Sequence, residues 1–571
     1  MYKNILKTSA LIFTLLFSLT ALSGCAKDSE KPYFPPDETL ITMSENCISV
    51  EYGSETGLND SVKTTNDIIY YENRETYDSG YAYGEGTAEE KHTADEAAAN
   101  TVVNITKAGT YRVTGSLKGQ IRVDLGENAF TDPDAVVTLI LDNADITCDV
   151  APAILFMNVY ECDNNWSAEN AHYNIDTTSA GANLIITDGS ENTVNGSHVA
   201  RIYKDGGREK KLWKQDGAIY SYMSMNISGE KDGSGILNLT ADNEGLDTEL
   251  HLTINSGNIN IRSGNDGINT NEDGVSVTTI NGGNIHIIAG LGAEGDGVDS
   301  NGWLVINGGT VVSNANPAAD AGLDSDMGSF INGGTVIALG STMDWAESDS
   351  EQITMNLQFA EYKASDSAII ISKEDGTVVF AYDLSEDEVV GENIRQYMGA
   401  VISSPDLVLE ENYNVYIGGT IAGEESAGIY DIATVTGFDG AVKQAYTGTD
   451  VRRGFGGGMM RPDKEWNGEI PEGIELDENG RPVIPDGFEI PESEKCEGMM
   501  RPDLRQDREI PENMELDENG RPVIPDGFEI PEGGFPGMHV ELGDRSNENT
   551  IFFMQDKVNF FSGLADASLT E

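Results

Sequence analysis

The chain has 571 residues, with 97 acidic against 35 basic side chains and a formal charge of −62. That charge repels nucleic acid and anionic lipid headgroups, so neither is a direct partner, and divalent cations are natural counter-ions. A hydrophobic content of 39% supports a packed core, and 64 glycines beside only 18 prolines mark repeated tight turns, not collagen.

Residues 1–24 read as an export signal: Lys3 and Lys7 precede a short apolar run, Ala10 to Phe17, too short to span a bilayer. The run leads to Leu22-Ser23-Gly24-Cys25, which resembles a bacterial lipobox with Cys25 as the lipidated residue. A membrane-anchored, extracellular lipoprotein is therefore expected. Export permits disulfides, and Cys47, Cys148, Cys162 and Cys496 allow three complete pairings. No CxxC or HxxxH spacing supports zinc. Residues 25–100 are polar and acidic and read as a spacer, whose tyrosines, Tyr70, Tyr71, Tyr77, Tyr81 and Tyr83, either dock it on the next domain or contact sugar.

The body, 101–345, is a repeat array. Ile-Asn-x-Gly begins at Ile254, Ile280, Ile306 and Ile331, at spacings of 26, 26 and 25 residues. Each copy precedes a short segment with period-two alternation, such as Asn258-Ile259-Asn260-Ile261. Strands in short repeats punctuated by Gly and Asn stack as a parallel β-helix, an all-β fold. Stacking places Asn255, Asn281, Asn307 and Asn332 in one amide ladder. A second motif, Gly-x-Asp or Gly-x-Asn, precedes each copy at Gly245, Gly267, Gly297 and Gly322. It lines up Asp247, Asn269, Asp299 and Asp324 on one edge, with Glu244, Asp266 and Asp296 beside them. Two carboxylates 4 Å apart repel by about 1 kcal/mol in water and about 4 at an effective dielectric of 20. Such an edge is either hydrated or holds cations, and hard oxygen donors favour calcium. Asp273, in Asn269-Thr270-Asn271-Glu272-Asp273-Gly274, is a further candidate ligand, although Ile280 stands where an EF-hand needs its closing Glu. The GxGxxG at Gly290 sits in a β repeat without a following helix and is a chance match.

Ala108-Gly109-Thr110-Tyr111, Asp188-Gly189-Ser190, Lys231 to Leu237 and the Ile-Asn-Gly-Gly series resemble the bacterial carbohydrate-binding β-helix family first described in clostridia. The resemblance implies a right-handed helix with bound calcium, an architecture related to pectate lyases, and binding of cellulose and polygalacturonate. It assigns no individual ligands.

Residues 346–450 alternate as strands and read as a β-rich cap over the open end of the array. Within 451–545, residues 459–492 repeat at 499–532, an acidic, Pro-rich extended tail; 546–571 returns to pack on the cap. The reading is a monomeric protein that binds extracellular polysaccharide, with Trp213, Tyr220, Tyr222 and Trp303 as candidate sugar-stacking aromatics. A calcium-dependent lyase, with Arg262, Arg201 or Lys204 as base, and a structural surface adhesin are the alternatives.

Overall fold

The computed structural model describes residues 35–44, 47–71, 90–163, 167–203, 211–341, 344–364, 367–383, 396–449 and 548–567. Cys25, Lys204 and the tandem repeat lie outside them, as do the side chains of Arg201 and Trp213, whose backbones are strand. From Gly217 to Gly340 the chain makes five rungs of three strands, and each strand pairs in parallel with its equivalent one rung on. The acidic ladder comprises Gly217–Ser221, Glu244–Thr248, Ile268–Thr270, Val298–Ser300 and Leu323–Ser325. The turn ladder comprises Met225–Gly229, Leu252–Ile254, Val277–Ile280, Trp303–Ile306 and Gly328–Ile331. The polar ladder comprises Ile236–Ala241, Asn258–Ser263, Asn284–Ile288, Thr310–Asn314 and Thr335–Gly340.

Each position of Ile-Asn-x-Gly has a separate physical task. Ile254, Ile280, Ile306 and Ile331 face each other in register and are fully buried. Burying each contributes about 1.5–3 kcal/mol. The asparagines form the expected ladder: Asn281, Asn307 and Asn332 each donate Nδ2–H to Oδ1 of the preceding asparagine at 3.0 Å. The final glycine turns the chain at positive φ, 94° at Gly283 and 85° at Gly309. A Cβ at Gly309 would also meet the Gly283 carbonyl at 2.5 Å, so both backbone conformation and stacking exclude a side chain.

Part of the stretch read as a spacer is strand. Glu38–Ser44 pairs in parallel with Gly109–Asp124 and antiparallel with Cys47–Tyr52. Ile41 and Met43 enter the core, and Arg112 binds Glu38 at 2.7 Å and Asp142 at 3.1 Å. Tyr71 is fully buried, as docking requires. Cys47 is disulfide-bonded, whereas Cys148 and Cys162, the pair closest in sequence, are free thiols.

At the other end, Gln396–Ser403 pairs antiparallel with the last polar-ladder strand, Thr335–Gly340, and with Thr354–Ala364. Val558–Asp566 joins Thr354–Ala364 in parallel. This sheet covers an edge that would otherwise present unpaired backbone groups. It also reaches sideways: Val312, Ile337 and Leu339 on the polar ladder pack with Met355, Phe359, Phe380 and Phe561.

Asn281→Ala with Asn307→Ala removes three amide bonds from an exposed ladder. The expected loss is about 1–3 kcal/mol in unfolding free energy, read by urea titration. An unchanged midpoint would mean that the ladder follows the stacking without stabilising it.

Candidate functional site

The acidic ladder carries one outward column through successive rungs: Tyr220, Asp247, Asn269, Asp299 and Asp324 stand in register. The residue before each motif glycine forms a second column. The Gly245 and Gly267 amides donate to the backbone carbonyls of Asp266 and Asp296, which aligns Glu244, Asp266 and Asp296. Asp273 stands apart: it is exposed and accepts from Asn301 Nδ2 at 3.1 Å.

The chemistry changes along the stack. Asp266 and Asp296 accept backbone N–H bonds from the next rung, Asp296 N donating to Asp266 Oδ1 at 2.7 Å and Ala321 N to Asp296 Oδ1. One rung back, Asp216, Glu244 and Asp247 bring carboxylate oxygens within 4.8 Å of one another. Oxygens sharing a cation at 2.3–2.6 Å lie no farther apart than about 5 Å. Asn269 Nδ2 donates to Glu244 Oε1 at 3.2 Å, while Glu244 Oε2 and Asn269 Oδ1 are buried acceptors without a hydrogen-bond donor. Buried acceptor oxygens without donors, beside two further carboxylates, suit a hard divalent cation. Asp216 escaped the sequence pattern because Gly217 pairs with Glu244, not Gly245, so its Asp-Gly signal is one residue out of register.

Like charges at this spacing resist ionisation. Burial first, then Asp299 and Glu244, push the Asp266 carboxyl well above its usual range. Burial, Asp324 and Asp299 do the same to Asp296. Asp344, which accepts from Ser325 Oγ at 2.7 Å, is pushed up to about 7, chiefly by burial. Neither it nor Asp216 belongs to a repeated motif copy.

Two aromatic candidates are corrected. Tyr220 is fully buried, its hydroxyl bonded to Glu249 and its ring edge-on to Tyr222 at 5.1 Å. Trp303 is 8% exposed, packed with Val277, Val305 and Phe330 beneath Ala171 and Ile175. Neither offers a face to sugar, because the loop after Ser167 and the neighbouring rungs cover them. Tyr222 is half-buried. Tyr173, unmarked by any repeat, is 45% exposed and stacks on Phe330 at 4.7 Å.

A model of the carbohydrate-binding domain-containing proteins matches residues 99–393, more than half of the chain. The chain belongs to that family. No curated protein matches it. A solved structure, the polysaccharide lyase-like protein from C. thermocellum as a gadolinium derivative, aligns at 20% identity and a TM-score of 0.30, over 52% of this chain and 92% of its own. Family membership supports a polysaccharide as partner of this carbohydrate-binding domain.

The raised carboxyls fix a direction for pH. A carboxyl with a folded pKa above its unfolded value of 3.8 keeps its proton longer in the folded state. Its ionisation cost is absent below about pH 4 and grows until the pH passes about 7 for Asp344. In chelator, the raised carboxyls are expected to lower the unfolding free energy from about pH 4 to about pH 7, His286 opposing them below about pH 6.5, and Asp344→Asn to flatten part of that slope. A curve rising over the interval, in urea titrations at each pH, would contradict the buried acidic column.

Proposed function

We propose that the protein is a cell-surface lipoprotein that binds polysaccharide, pectic uronate polymer or cellulose, along a right-handed parallel β-helix formed by the stacked rungs. Parallel strands joined by crossovers favour the right hand almost without exception. The observation that carries the reading is the outward side of the polar ladder, taken with the family match over 99–393. There Thr193, Asn238, Asn260 and His286 fall in one column, and Asn195, Thr240 and Arg262 in the next. Hydrogen-bonding groups thus recur once per rung, about 4.8 Å apart, a spacing comparable to a sugar unit.

Calcium is the proposed cofactor. Asp216, Glu244, Asp247 and Asn269 would hold it, with Asp299 and Asp324 extending the acidic column. Bound there, it would neutralise like charges and bridge the acidic face to a uronate carboxylate. Cys25 would supply the lipid anchor, and the antiparallel strand closing the last rung supports a monomer. Binding is preferred over lyase chemistry because Arg262 stands on the polar ladder and the carboxylates on the acidic one.

The test is retention of the full chain on cellulose and on polygalacturonate gel, with calcium and with chelator. Retention on polysaccharide is expected, with the uronate fraction falling in chelator and no unsaturated-uronate absorbance developing. Calcium at about 100 times its Kd should add about 2.7 kcal/mol of stability, and Glu244→Gln with Asp247→Asn should abolish that gain. Asp299→Ala with Asp324→Ala should weaken uronate retention more than cellulose retention. Absorbance from unsaturated product would make the protein a lyase; no retention on either polymer would make it an adhesin.

A further inference from the structure

On the polar ladder the outward residues change character along the stack. Asn195, Thr240 and Arg262 continue as Ile288, and Asn238, Asn260 and His286 continue as Val312 and Ile337. The apolar members are buried, Val312 and Ile337 under the cap sheet. At this border the cap hairpin Glu425–Ser426 and Ile429–Tyr430 brings Ser426 and Ala427 over the ladder. A cavity of about 350 Å³ lies between them, lined by Asn260, Arg262, His286, Ile288, Ser426 and Ala427. A second hollow of about 370 Å³ lies along the Arg262 column, past Asn195 and Thr240 to Thr147, with Asp149 and Asp242 also in its lining.

Arg262 is the unusual member. Arg112 is held by Glu38 and Asp142, Arg122 by Asp67, and Lys118 by Asp149. Arg262 is half-buried and makes no hydrogen bond or ion pair with a described residue, on a chain carrying −62. A partly desolvated guanidinium with no counter-ion among the described residues gains from an added anion, and its planar fork matches a carboxylate. Beside it, burial and the Arg262 charge push His286 down to about 4. The imidazole is therefore neutral at pH 7 and suited to a hydroxyl, as are the Asn260 amide and the Ser426 hydroxyl.

We propose that this trough is a subsite for a carboxylated sugar, whose carboxylate pairs with Arg262 while its hydroxyls meet Asn260, His286 and Ser426 under the hairpin tip. The inference rests on the polysaccharide-binding reading and adds a contact that needs no metal. An acidic protein thereby gains a direct hold on an acidic glycan at one point.

The test is calorimetry on the full chain in chelator, so that the acidic ladder contributes no bridging cation. The probes are trigalacturonate and its fully methyl-esterified counterpart, which differ in charge and by one methyl group per unit. The free acid is expected to bind at least about ten-fold more tightly. Arg262→Gln should erase that preference by weakening the acid far more than the ester; Arg262→Lys, which keeps the charge without the fork, should retain part of it. Ser426→Trp, at the hairpin tip, should fill the trough and block both ligands while every rung residue is kept. Equal binding of acid and ester by the natural chain, or a preference surviving in Arg262→Gln, overturns the subsite while polymer retention still upholds the broader reading. Loss of retention on every polymer overturns both.

Discussion

In-register parallel stacking governs this protein, because it makes each side chain the neighbour of its own equivalents. Rungs about 4.8 Å apart leave a repeated residue no choice of partner. Isoleucine gains from that company inside, where Ile254, Ile280, Ile306 and Ile331 form one buried column. Asparagine gains outside, since one amide both donates and accepts. Aspartate does not, because two ionised carboxylates can only repel. The acidic ladder answers with backbone N–H donors to Asp266 and Asp296 and with protons retained by buried carboxyls.

Much of this was legible in the sequence because repetition multiplies a weak signal. Ile-Asn-x-Gly at 26-residue spacing located the turns, and the register of Asp247, Asn269, Asp299 and Asp324 followed from counting. Features outside the repeat were hidden. Glu38–Ser44 has the alternation of a strand, but its partner, Gly109–Asp124, lies some seventy residues on, and a polar setting masked it. Tyr220 and Trp303 look like sugar platforms in one dimension; only the covering loop and the packed rungs reveal them as core. Asp216 was lost to a one-residue shift, and the cavity at Arg262 needs a hairpin from the cap, more than 160 residues away in the chain.

The cap therefore does two jobs with one set of side chains. Its strand Gln396–Ser403 satisfies the edge of the last rung, and its apolar face covers Val312, Ile337 and Leu339. Where that cover stops, the ladder turns polar, and the boundary itself becomes a concave site. A repetitive surface gains a unique place only where something non-repetitive meets it.

The asparagine ladder also has a direction. Every Nδ2–H points to the earlier rung, ending on Ser228 at one extreme and receiving the Glu351 amide at the other. Aligned amides polarise one another, so each added member strengthens the row. Such a row has no internal landmark: a whole rung removed or duplicated would leave every remaining amide with the same partner chemistry. Extra residues short of a whole rung are tolerated only in the turns, as between Thr270 and Val277, where a longer loop leaves Ile254 and Ile280 in register. Length in this architecture is thus quantised in single turns of about two dozen residues, and the reach of its polar face can be lengthened by gene duplication without redesign of either end.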